Sequence, residues 1–187
     1  MKNALYISTV VMLMVSATLL SAQEIDQGFL GIPWKSTVND RKDLIQVGEN
    51  GPVAYYTNPN EIHILYGEEV PGVIYGFYNS ALFAVFIKVD SLERFSNVRE
   101  HLTSRYGVPD KSFSAKSEQT VYKWKTGDIK IKLKISEVES TMKLAYYYMP
   151  LSNKVNEDQL EAAQRKSPKL FSIQKSLVPA VVPLYED

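Results

Sequence analysis

The chain has 187 residues, with 21 Lys+Arg against 21 Asp+Glu, 45% apolar residues and no cysteine. A charge balance near zero gives no general attraction for nucleic acid or an anionic membrane. The absence of cysteine removes disulfides, thiolate metal sites, a thiol nucleophile and a lipid-modified N-terminal cysteine.

Residues 1–22 read as a cleavable secretory signal peptide. Lys2 is a one-charge n-region, residues 4–20 are mostly apolar, and Leu20-Ser21-Ala22 offers a small residue at the scissile position. The competing reading, an uncleaved anchor, needs about 20 apolar residues, and Ser8, Thr9, Ser16 and Thr18 dilute this stretch. The expectation is a protein exported to the periplasm or secreted, with no stable membrane anchor after cleavage. Its domains would be a single domain over 23–150 and a C-terminal helix and extended tail over 151–187.

The mature chain opens on the apolar turn Phe29-Leu30-Gly31-Ile32-Pro33-Trp34. Pro33-Trp34 reads as a plug that fixes the entry of the chain. Ser36 or Thr37 is expected to cap a short helix running to about Gln46, with Asp40 completing a capping box and Leu44 and Ile45 facing inward. Strands are expected at 53–57, 62–66, 73–78 and 81–89, the last two joined by the hairpin link Asn79-Ser80. Residues 67–72 read as a loop.

Asp90-Ser91 precedes the strongest helical signal, 92–106, where Leu92, Phe95, Val98, Leu102 and Tyr106 recur at three and four residues and Gly107 stops the run. A meander follows at 119–125, 129–135 and 141–149. Ile129, Ile131, Leu133 and Ile135 alternate there with Lys130, Lys132 and Lys134. After Pro150 a polar helix is expected over 156–166. Hairpins rather than βαβ crossovers imply an α+β fold, an antiparallel sheet packed on two helices.

The segment Phe29-x-Gly31-Ile32-Pro33-Trp34-x-Ser36-Thr37 resembles the opening of a group of small exported bacterial proteins, which begin with Gly-Ile/Leu-Pro-Trp/Phe-Gly-x-Ser/Thr. The resemblance continues through the aromatic hairpin at 75–83 and through Leu102 to Tyr106-Gly107-Val108-Pro109, where the group reads Leu…Tyr-Gly-x-Pro. Trp124 before a Lys-rich strand fits as well, so the likeness spans 29–149. Lys35 stands where the group has Gly. The resemblance implies an α+β domain in a bacterial envelope and carries over no catalytic residue.

Chemistry-bearing residues are few. His63 and His101 lack a partner at metal-ligand spacing and read as surface or rim histidines. No Gly-x-Ser-x-Gly and no phosphate-cradling glycine loop is present, and Glu68-Glu69 reads as a solvated carboxylate pair. Lys123, Lys125, Lys130, Lys132, Lys134 and Lys143 fall on the outward phase of the meander. They read either as a solvent face that discourages edge pairing or as a basic patch for an anionic glycan or acidic partner.

Tyr147 is expected exposed between buried Tyr146 and Tyr148, and Tyr55-Tyr56 are expected to split between faces. The apolar tail carrying Leu177, Val181, Leu184 and Tyr185 reads as packed on its own domain or as a partner contact. The sequence therefore points to a non-enzymatic envelope binding or assembly protein, without metal or cofactor, whose partner is an envelope protein or an anionic glycan. The alternatives are a carboxylate-based envelope glycan hydrolase, or an inhibitor of a hydrolase.

Overall fold

The computed structural model describes residues 24–166. The signal-peptide segment and the tail residues Leu177, Val181, Leu184 and Tyr185 lie outside the described residues. The chain divides into two compact units, Met1–Val155 and Asn156–Asp187.

In the first unit, a one-turn helix α1 (Glu24–Gln27) leads into the short hairpin β1 (Gly28–Phe29) and β2 (Ile32–Pro33). Trp34 is buried, and its indole N–H donates to the Ile25 carbonyl at 2.7 Å. The plug reading of Pro33-Trp34 therefore matches a closed polar contact. Lys35 adopts φ 69, the left-handed region that glycine fills without strain.

The helix expected over 36–46 is not formed. Thr37 caps a single 3-10 turn, Val38–Asp40, accepting from the Asn39 amide at 3.3 Å. The chain then extends into β3 (Ile45–Asn50), which pairs with β4 (Val53–Thr57). Ile45 and Val47 alternate as well on a strand as Leu44 and Ile45 do on a helix, and pairing with β4 decides the matter. Leu44 packs on the core as expected, whereas Ile45 is exposed.

β5 (His63–Leu65) and β6 (Glu68–Val70) form a small separate hairpin, with β6 taking half of the expected loop. β7 (Val73–Tyr78) and β8 (Ala81–Val89) follow with the expected bounds. Asn79 and Ser80 sit at φ 47 and 67, the two left-handed residues that suit a tight hairpin to strand twist. Helix α2 spans Leu92–Tyr106, with the Ser91 hydroxyl accepting from the Arg94 amide and Gly107 closing the end at φ 83.

β9 (Asp110–Ser114) is exposed at every residue and carries no apolar alternation, so the sequence gives no sign of it. β10 (Gln119–Thr126), β11 (Ile129–Ser136) and β12 (Thr141–Tyr148) complete the meander. Helix α3 (Met149–Lys166) starts seven residues before the expected 156, because Pro150 falls in its first turn, where a missing N–H is tolerated.

The result is an α+β fold. One eight-stranded antiparallel sheet runs in the order β3-β4-β7-β8-β12-β11-β10-β9. One face carries the main core, where Phe95, Val98 and Leu102 of α2 meet Val85, Ile87, Ile131, Leu133 and Leu144. On the other face Val155 and Leu151 from the first turns of α3 pack on Val53, Phe83 and Ala84. Among the described residues no helix is long and apolar enough to cross a membrane.

Candidate functional site

Residues opposed across antiparallel strands share one side of the sheet, so register dictates which side chains meet. On the α3-bearing face, Lys88 opposes Lys143 and Lys143 opposes Lys134. In the next row Lys123 opposes Lys132, which opposes Ala145, then Phe86, then Ile74. In the third row Lys125 opposes Lys130, which opposes Tyr147, then Ala84, Gly76 and Tyr55.

The six lysines expected from the meander are thus brought together, and Lys88 joins them. The sequence missed Lys88 because β8 and β12 are neighbours only in space, with α2 and three strands between them in the chain. Adjacent strands lie about 4.8 Å apart, so these ammonium stems crowd one another. Among the described residues Lys134 is the one lattice member in an ion pair, 3.6 Å from Glu139. Lys132 is half-buried, and burial first, then Lys130 and Lys123, pulls its pKa below the usual lysine value.

Aromatic rings border the lysines. Lys132 and Lys130 lie over the Tyr147 ring at 5.1 and 5.8 Å. The Tyr147 ring meets Phe86 edge-on at 5.7 Å, and Phe86 meets Tyr55 at 6.0 Å. Tyr146 and Tyr148 are buried as expected, but Tyr147 is half-buried rather than exposed, because Phe86 flanks its ring and two lysines cover it. Tyr55 and Tyr56 do split between the two faces.

Two concavities open on this face. One of about 490 Å³ is lined by Lys123, Lys132, Lys134, Lys143, Phe86 and Tyr147 among others. The other, about 620 Å³, runs past Tyr55, Ile74 and Phe86 to Val47 and shares Phe86 and Lys143 with the first.

A second polar centre lies on the α2 side. Arg94 binds Glu68 at 2.8 Å and Asp90 at 2.6 Å, and Asn97 donates to Glu68 at 3.3 Å. The solvated reading of Glu68-Glu69 holds for Glu69, which is exposed, whereas Glu68 is paired: Arg94, then Asn97, holds its carboxyl below its ordinary pKa. His101, on the solvent side of α2 as expected, stacks on Tyr66 at 3.8 Å; burial, then Arg105, lowers its pKa. The Tyr66 hydroxyl meets the Tyr146 hydroxyl at 2.5 Å. A cavity of only about 200 Å³ remains there, so this cluster clamps the β5–β6 hairpin to α2.

The surface reading of His63 is overturned, since it is 3% exposed. It does point away from Ile62 and Ile64, but those two face solvent at 71% and 53% exposure. The β5–β6 hairpin turns the side bearing His63, Leu65 and Val70 inward and leaves Ile64 and Glu69 outward. His63 Nε2 and the Tyr75 hydroxyl are both buried without a hydrogen-bond partner among the described residues. Among the described residues no three His, Asp or Glu side chains are grouped to hold a metal ion. Comparison with family models, curated proteins and solved structures finds no match.

Proposed function

We propose that the chain is a non-enzymatic binding module of a bacterial envelope, and that its lysine-covered sheet face takes an anionic partner. The observation that carries this reading is the register, in which lysines oppose lysines on interior strands, Asp110 opposite Lys123 being the one carboxylate paired into these rows among the described residues. Like charges placed directly across a sheet are destabilising. Protection against edge pairing is served by lysines on edge strands, and here the edges are β3 and β9. The rows on β8, β12, β11 and β10 exceed what edge protection asks for, and an anion placed over them offsets their mutual repulsion.

Three carboxyls among the described residues are ill suited to the general-acid role of the hydrolase alternative. A carboxyl serving as general acid needs its pKa raised. Asp43 is instead lowered to about 2 by Arg41, Glu68 is lowered by Arg94, and Glu139 is lowered by Thr141 and Lys134.

The test is a cation-exchange column at pH 7, where a neutral chain with evenly spread charge passes through. The wild-type chain is expected to be retained at low salt and to elute as salt screens the face. The variant K134E/K143E is expected in the flow-through. Equal retention of the two proteins would sink the reading.

A further inference from the structure

The lysine rows end on an apolar groove, and the junction between them is specific. The groove is about 620 Å³, inside the usual range for small-molecule sites, roughly 300–1,000 Å³. Tyr55, Ile74 and Phe86 line it along the sheet, Val47 stands at the β3 side, and Lys88 and Lys143 are its two cations. Ile74 and Val47 are 41% and 54% exposed. A polyanion would find charge on the lysine rows but no use for this hydrocarbon surface. A neutral apolar ligand would leave the two ammoniums facing nothing.

We infer that the groove binds a single-chain anionic amphiphile, its phosphate or carboxylate on Lys88 and Lys143 and its hydrocarbon chain along Phe86, Ile74, Tyr55 and Val47. This rests on the reading of the lysine face as anion-binding and gives that face a ligand class. Charge complementarity selects the head: Lys88 and Lys143 oppose each other in register, and among the described residues neither is in an ion pair, Glu139 being bound to Lys134 and reaching Lys143 only through its field. Two adjacent ammoniums act as point charges that a monoester or carboxylate bridges. The apolar walls select the tail, because each methylene removed from water strengthens binding by up to about fourfold.

Calorimetric titration of the purified chain with inorganic phosphate, butyl phosphate and dodecyl phosphate, the last below its micelle concentration, tests the inference. Affinity is expected to rise steeply with chain length, and dodecyl phosphate is expected to raise the melting temperature. Dodecyl maltoside, with the same chain and no charge, is expected to bind at least tenfold more weakly. Lys88, Lys143 and Ile74 are all exposed, so K88E/K143E and I74E are expected to keep the wild-type circular dichroism while losing dodecyl phosphate. K125E, at the far end of the lattice, is expected to keep dodecyl phosphate and weaken binding of dextran sulfate.

Equal affinity for butyl and dodecyl phosphate, with dextran sulfate still bound, overturns the amphiphile and leaves the anion-binding reading intact. Loss of dextran sulfate binding as well overturns both. Equal binding of dodecyl maltoside shows that the head is not read and overturns the inference. Self-association of the wild-type chain, abolished in I74E, would make the groove an interface between copies and overturn the inference.

Discussion

At the scale of single residues, Lys132 shows most clearly what the sheet does to its side chains. Alternation in 129–135 places it outward, but outward here means between Lys123 and Ala145 and over the Tyr147 ring. Its lowered pKa means that the unfolded chain holds this proton more tightly than the folded one. The folded protein is therefore handicapped at neutral pH, and relief comes as pH rises through the lowered value toward 10.5. Lys132→Met keeps the stem and removes the charge. It is expected to raise stability by about 0.5 kcal/mol in thermal melts at pH 7, while weakening anion binding. A fall in stability would mean that the lysine serves the fold rather than a ligand.

At the scale of elements, the β5–β6 hairpin depends on its contacts with the rest of the unit. It pairs only with itself, and a lone two-stranded hairpin is marginal in water. The Tyr66–Tyr146 hydroxyl contact, the His101 stack and the Glu68–Arg94 pair hold it down. Tyr66→Phe removes one hydroxyl and leaves that of Tyr146 buried without a partner, at a cost of about 1–3 kcal/mol. Removing both hydroxyls in Y66F/Y146F is expected to be less damaging than the sum of the two single changes, as a double-mutant cycle by urea unfolding will read.

The sequence revealed this hairpin only in part. It shows strand propensity at 62–66, but not that His63 faces the core, because a five-residue alternation does not say which side is inward. A different ambiguity, an apolar pattern too short to separate the helical period from the strand period, lies behind the turn and strand found where a helix was expected at 36–46.

At the scale of the molecule, acid stability follows from the carboxylates that folding pairs. Asp43 is held at about 2 by the Arg41 guanidinium, against 3.8 ordinarily, and Glu68 lies below 4.5. A depressed folded pKa contributes stability that is present above the ordinary value and lost as pH falls through the folded one. The protein is therefore expected to lose stability between pH 4 and 2. Asp43→Asn is expected to flatten that limb when urea midpoints are plotted against pH, and an unchanged slope would count against the Arg41 pair.

The local sequence was enough to place the β7–β8 hairpin, helix α2 with both caps, the β10–β12 meander and the α+β class. Each of these is set by neighbours within a turn or a hairpin, where period, capping and left-handed links act. Edge strand β9 stayed hidden because an exposed edge buries nothing. The lysine face was visible only as six residues in phase on one meander. Only the tertiary structure decided that β8 lies against β12, adding Lys88, Phe86 and Ile74 and turning a polar face into charged rows beside an apolar groove. That pairing joins segments separated by a helix and three strands, and it is favoured by burial of the α2 side of the sheet, a sum over the whole core that no local window of sequence carries.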